Sequence, residues 1–157
     1  RVLMRFLDQA DSLNVQGRYP EALTILERSA AFCHKAGSRY PCPDRIEKGF
    51  REAHTGMYKS FLTVARRALS VNNTGFGIAF AENALEYHSR YSEYIFSSIE
   101  ARELLQKALE NYLFIGDQQF AIGNARQAVS NYVQARKLVL THPFLNYQRP
   151  GSAPGYR

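Results

Sequence analysis

The residues that could do chemistry are two cysteines and four histidines, and their spacing limits what they can do. Cys33 is followed directly by His34, and Cys42 comes nine residues after Cys33. This spacing matches no known zinc-binding pattern, so we predict no metal site. In an oxidising compartment a disulfide between the two cysteines could close a short loop. The alternative is one buried helix cysteine and one loop cysteine without a bond between them.

No set of side chains combines a nucleophile, a base and an acid. The histidines fall on different predicted elements, at His34, His54, His88 and His142. Glu82 and Glu86 are four residues apart, which places both carboxylates on one exposed helix face where water solvates them. Because nothing assembles the groups that an active site needs, we predict that the chain is not an enzyme and takes no cofactor.

The charge of the chain permits an anionic partner without indicating where it would bind. The formal net charge is +6 over 157 residues, yet only Arg66 and Arg67 are adjacent among the arginines. A phosphate-binding surface is expected to cluster its cations, so an anionic ligand such as nucleic acid is the alternative prediction. No apolar run reaches the roughly 18 residues that a membrane span needs.

Apolar residues recur every three and four positions along most of the chain, which predicts an all-α fold. Six such stripes indicate about six helices in three antiparallel pairs. Gly17, Gly75 and Gly123 mark the turns within the pairs, because glycine readily takes the left-handed conformation that ends a helix. We expect this helical domain to cover residues 1–140. Residues 141–157 are rich in Pro, Gly and Ser and are predicted to be a tail or a linker to a further domain.

A pattern of five residue types recurs at these turns: a large apolar residue, a small residue, the turn glycine, an aromatic residue and an alanine. In the first unit these are Phe6, Ala10, Gly17, Tyr19 and Ala22. In the last unit they are Tyr112, Gly116, Gly123, Ala125 and Ala128, with alanine at the aromatic position. Around Gly75 the small residue is Ala68 and the pattern is one residue out of phase, which predicts a shorter turn.

This pattern resembles the tetratricopeptide repeat family, whose helix-turn-helix units of about 34 residues stack on one another. The turns here lie further apart, so the resemblance implies repeats with elongated first helices. It also implies a right-handed superhelix whose first helices line a concave groove, where a peptide or helix of another protein binds. The groove positions carried over from the family are Leu7, Asp11 and Asn14, then Ala65, Leu69 and Asn72, and finally Leu113, Asp117 and Phe120.

A second resemblance covers "FGIAFAENALEYHSRYSEYI" and "ENYLFIGDQQFAIGNARQAVSNYVQARKL". Both segments are similar to helical-repeat regions of cell-envelope proteins from Bacteroidota, including components associated with type 9 secretion and gliding. This implies a scaffold in the bacterial envelope, within a larger assembly. Tyr87, Tyr91 and Tyr94 lie in the first segment, and two interpretations remain open for them. They either pack between the fourth and fifth helices or form an aromatic surface that anchors a partner.

Overall fold

The computed structural model describes residues 2–36 and 42–147, and these form six α-helices and no strand. α1 packs against α2, and α5 packs against α6. The predicted all-α class, with six helices in consecutive antiparallel pairs, is confirmed. The helices are α1 (Val2–Val15), α2 (Tyr19–Lys35), α3 (Asp44–Ser70), α4 (Thr74–Arg90), α5 (Ile99–Ala121) and α6 (Ala125–Thr141).

The lengths of these elements repeat along the chain. The second helix of each pair, α2, α4 or α6, has 17 residues. Eight residues lie between α2 and α3 and again between α4 and α5, and every turn within a pair has three. The first helices differ, because α3 has 27 residues and α5 has 23. The repeat formed by α3 and α4 is therefore longer than the repeat formed by α5 and α6 by about one helical turn.

The three turns within the pairs share one backbone pattern. Each contains a residue in the left-handed region: Gly17 with φ 75°, Asn72 with φ 59° and Gly123 with φ 83°. The next residue donates its N–H to a carbonyl five residues back, as in a Schellman motif. These bonds are Arg18 to Leu13, Asn73 to Ala68 and Asn124 to Gln119, at 2.8–2.9 Å.

The middle turn therefore corrects two predictions. Asn72 holds the left-handed position that was expected for Gly75, because asparagine tolerates this conformation better than most residues. Gly75 lies in the first turn of α4 instead. The turn is also not shorter than the others. Aligned on Asn72, the small residue seven positions earlier is Ala65 and not Ala68, in register with the equally buried Ala10 and Gly116.

The chain forms two compact units, and the first comprises Arg1–Ser60 and Tyr87–Ser97. Its core collects the apolar stripes of α1, α2 and the first half of α3. A disulfide joins Cys33 at the end of α2 to Cys42 just before α3. One cluster of buried apolar residues comprises Leu7, Ala10, Leu13, Ala22, Leu26, Cys33, Ile46 and Ala53.

The second unit comprises Phe61–Glu86 and Ser98–Arg157. It includes the residues just after α6, which were predicted to begin a linker. Leu145 is buried, and Asn146 exchanges two hydrogen bonds with the side chain of Gln106 on α5, at 3.0 and 3.1 Å. The Arg102 guanidinium lies over the Phe144 ring, 4.9 Å from its centre. Residues 142–147 thus pack onto α5, and the rest of the predicted tail lies outside the described residues.

Candidate functional site

A groove in the first unit is lined by the end of α1, the start of α2 and one face of α3. Its volume is about 470 Å³. On α3, Arg51, Thr55 and Lys59 follow at intervals of four residues, so they share one helix face. Tyr19 can pack against this face because the neighbouring residue is Gly56, where a Cβ atom would overlap the Tyr19 ring.

Asn14 is the buried polar residue of this groove, with only 7% of its surface exposed. Its Nδ2 donates a hydrogen bond to the backbone oxygen of Gly49, at 3.2 Å, which ties α1 to α3. Its Oδ1 is buried and accepts no hydrogen bond from another described residue. Because this oxygen has almost no accessible surface, a ligand in the groove would not reach it, and the role of Asn14 is to join α1 to α3 at the wall of the groove.

Two cations and one carboxylate complete the lining of the groove. Arg51 and Lys59 bring positive charge, and the Arg51 guanidinium lies 5.8 Å from the centre of the Phe96 ring. Glu52 lies 3.8 Å from the Lys48 ammonium, an exposed pair that contributes little to stability. The groove can thus donate hydrogen bonds from Arg51 and Lys59 and accept them at Glu52 and Thr55.

The structure places the apolar groove candidates in the core instead. Leu7, Ala65, Leu69 and Leu113 are all less than 5% exposed, so they are not available to a ligand. The physical reason is that the apolar stripe of each first helix is the face that packs against its neighbours. Phe120 differs, because it is 69% exposed.

The polar groove candidates are either hydrogen-bonded to other residues or exposed in a turn. Arg45 donates to Asp11 and also to Asp8, the latter at 2.9 Å, and these bonds raise the pKa of Arg45. Asp117 accepts a hydrogen bond from the Tyr132 hydroxyl at 2.5 Å. Asn72 is exposed at its turn. Of the nine carried-over positions, Asn14 is the one that lines the groove of the first unit.

The three tyrosines of the predicted aromatic surface pack around a buried histidine of α3. The His54 ring lies 4.0 Å from the centre of Tyr91 and 4.9 Å from that of Tyr94, in stacked geometry. Its Nδ1 shares a hydrogen bond of 2.7 Å with the Tyr87 hydroxyl. Phe50 stacks on the same cluster. These tyrosines therefore contact α3, an element that neither interpretation of the sequence included.

Burial controls the protonation of this cluster. It lowers the pKa of His54 below its usual 6.5, and the charge of Glu27 opposes this shift. Burial also raises the pKa of Tyr87 and of Tyr94. His54 is therefore neutral at pH 7, as its apolar surroundings require.

Arg51, Thr55 and Lys59 were not among the predicted groove residues. The positions predicted for the middle unit, Ala65, Leu69 and Asn72, lie on the second half of α3 and in the turn after it, because they were counted back from that turn. The actual groove uses the first half of this long helix. A polar face with four-residue spacing was visible in the sequence, but such a face is usually solvated and carries no function by itself.

Two further results concern the described residues only. None of their helices is both long enough and apolar enough to cross a membrane. Across residues 2–36 and 42–147, no three or more His, Cys, Asp or Glu side chains are grouped so that they could hold a metal ion.

Comparisons with protein-family models, with curated proteins and with solved structures find no match for this chain.

Proposed function

We propose that this chain is a protein-interaction module of the tetratricopeptide-repeat type, which binds an extended segment of a partner protein in the groove of the first unit. The observation that carries the proposal is a groove of about 470 Å³ whose lining places the donors Arg51 and Lys59 beside the acceptors Glu52 and Thr55. That volume lies in the usual range of ligand sites.

A peptide backbone offers hydrogen-bond donors and acceptors that complement those of this groove. Each of its residues other than proline offers one N–H donor and one C=O acceptor. Its N–H groups would donate to Glu52 or Thr55, and its carbonyls would accept from Arg51 or Lys59. The phosphodiester backbone of a nucleic acid offers acceptors alone, so it would leave the Glu52 carboxylate without a donor and would be repelled by its negative charge. This difference favours a protein ligand over the anionic alternative.

The internal repeat and the disulfide support two further parts of the proposal. Chains built from repeated helix pairs commonly present extended surfaces to partners, which fits a scaffold or adaptor without catalytic activity. The Cys33–Cys42 disulfide suits an oxidising compartment. We therefore propose that the module works in the bacterial cell envelope, as part of a larger assembly.

The test is to select binding sequences from a phage-displayed library of random peptides, with the whole chain as the target. The affinity of the selected peptides is then measured by fluorescence anisotropy. Thr55→Arg places a long side chain in the groove, and we expect it to weaken binding at least tenfold. Thr24→Arg is the matched control, because Thr24 is exposed on α2 outside the groove. Circular dichroism confirms that both variants keep their helices.

If both threonine variants bind the selected peptides as the wild type does, the groove is not the binding site. A single-stranded oligonucleotide distinguishes the alternative function. If the oligonucleotide binds with an affinity that falls steeply with salt, and no peptide is selected, the chain is a module for anionic ligands.

A further inference from the structure

A second surface lies on α6, in the other compact unit. Val129, Val133 and Leu140 are 58%, 44% and 69% exposed. Their spacing of four and seven residues puts them on a single face. The opposite face of α6 carries Ala128 and Ala135, which are buried. The helix is therefore apolar on both sides, and only one side is covered.

The charged residues beside the exposed apolar stripe of α6 are all cations. Arg126, Arg136 and Lys137 are exposed, and none of them makes an ion pair with a described residue. Helical spacing brings all three within about a quarter-turn of the stripe. The sequence of α6 contains no Asp or Glu, whereas each of the other five helices carries both signs of charge.

We propose that this face of α6 docks an acidic amphipathic helix from a partner protein. The apolar side of such a helix would cover Val129, Val133 and Leu140. Its flanking Glu or Asp residues would meet the three unpaired cations, as complementary interfaces do. This surface is separate from the groove of the first unit, so the inference does not depend on the proposed function.

Two other occupants fit the face less well. Helices that lie on anionic membranes use bulky residues such as Trp, Phe and Leu with many Lys and Arg. The α6 stripe has two valines, one leucine and three cations, which provide little membrane affinity. A second copy packed symmetrically would bring the same face of α6, so the three cations of one copy would meet the three cations of the other.

The experiment uses a phage-displayed library of 21-residue helices, selected against the whole chain. Leucine is fixed at alternating three- and four-residue intervals, and the flanking positions vary among Glu, Lys, Gln and Ser. We expect the selected helices to be enriched in Glu. We also expect Val133→Glu to weaken their binding at least tenfold. Val2→Glu, at a valine with 54% exposure in the other unit, is the matched control and should change binding less than twofold.

Charge reversal provides the second variant. Arg136→Glu should weaken the Glu-rich helices and strengthen Lys-rich ones, an exchange that a merely unfolded variant would not produce. Three outcomes would overturn the inference: selected helices without Glu enrichment, binding that ignores Val133→Glu, or no selected helix at all. Binding to phosphatidylserine vesicles in place of helices, or a dimer in light scattering that Val133→Glu dissociates, would assign the face to a membrane or to a second copy.

Discussion

The α1–α2 and α5–α6 pairs begin from the same local pattern and end in different surroundings. Both turn at a left-handed glycine, and both have a small buried residue seven positions before it. Three positions before the glycine they diverge, because Asn14 is buried and Phe120 is 69% exposed. In the first unit α3 covers this position and receives the Asn14 hydrogen bond. Local sequence thus sets the turn, whereas burial depends on which element packs above it.

The two pairs are also secured by different means after their second helix. Covalent closure follows α2, where the disulfide joins Cys33 to Cys42. Packing follows α6, where Leu145 is buried and Asn146 bonds to Gln106. The first unit therefore depends on its redox environment in a way that the second does not.

The largest expected effect tests whether the two pairs share a core position. Leu7→Ala and Leu113→Ala should each lower the free energy of unfolding by about 3 kcal/mol, because both leucines are buried and leave a cavity. Hydrogen exchange in increasing urea measures this for each unit separately. Leu140→Ala, at an exposed leucine, should change the free energy by less than about 0.5 kcal/mol. A loss below about 1 kcal/mol at either buried leucine would restore it as a groove candidate.

The second prediction concerns the disulfide, whose removal should destabilise the α1–α2 pair and leave the α5–α6 pair unchanged. Replacing both Cys33 and Cys42 by Ala removes the cross-link, which for so short a loop contributes roughly 2–3 kcal/mol. Faster hydrogen exchange is expected in α1 and α2, and unchanged exchange in α5 and α6. A reductant should reproduce this in the wild type and have no effect on the double variant. Equal acceleration in all four helices would show that the disulfide does not act on the first unit alone.

The smallest effects compare the three turns. Gly17→Ala and Gly123→Ala should each cost about 1 kcal/mol, because alanine disfavours the left-handed conformation. No atom lies within 4 Å of the added Cβ at either site, so crowding does not contribute. Gly75→Ala should instead stabilise the chain by about 0.5 kcal/mol, since Gly75 is helical and open space surrounds it. Thermal unfolding measures all three, and a destabilising Gly75→Ala would contradict the role of Asn72.

Sequence patterns predicted the helices well, because apolar spacing and turn glycines are local features. The α1–α2 and α5–α6 turns follow directly from Gly17 and Gly123. The middle turn was misplaced because Asn72 and Gly75 both suit a turn, and the carbonyl partners that distinguish them depend on the whole helix end. In this case the glycine was the wrong choice.

The candidate site was harder to predict, because it depends on contacts between distant residues. Asn14 meets Gly49 across 35 residues of sequence, and His54 meets Tyr87 across 33. No spacing rule relates these positions. The sequence spacing of the tyrosines is the same whether a histidine of another helix or a partner protein packs against them. Only the packed structure distinguishes these two arrangements.

The four-residue difference between α3 and α5 shows how length varies in this chain. Four residues add about 6 Å and rotate the helix by only about 40° beyond a full turn. The small residue and its apolar neighbours therefore keep facing the same way when such a block is added. A two-residue insertion would rotate that face by about 200° and point it at solvent. The first helix of a pair can accordingly gain or lose four residues at a time. Its length then changes, while the turn that follows it and the face that it buries stay the same.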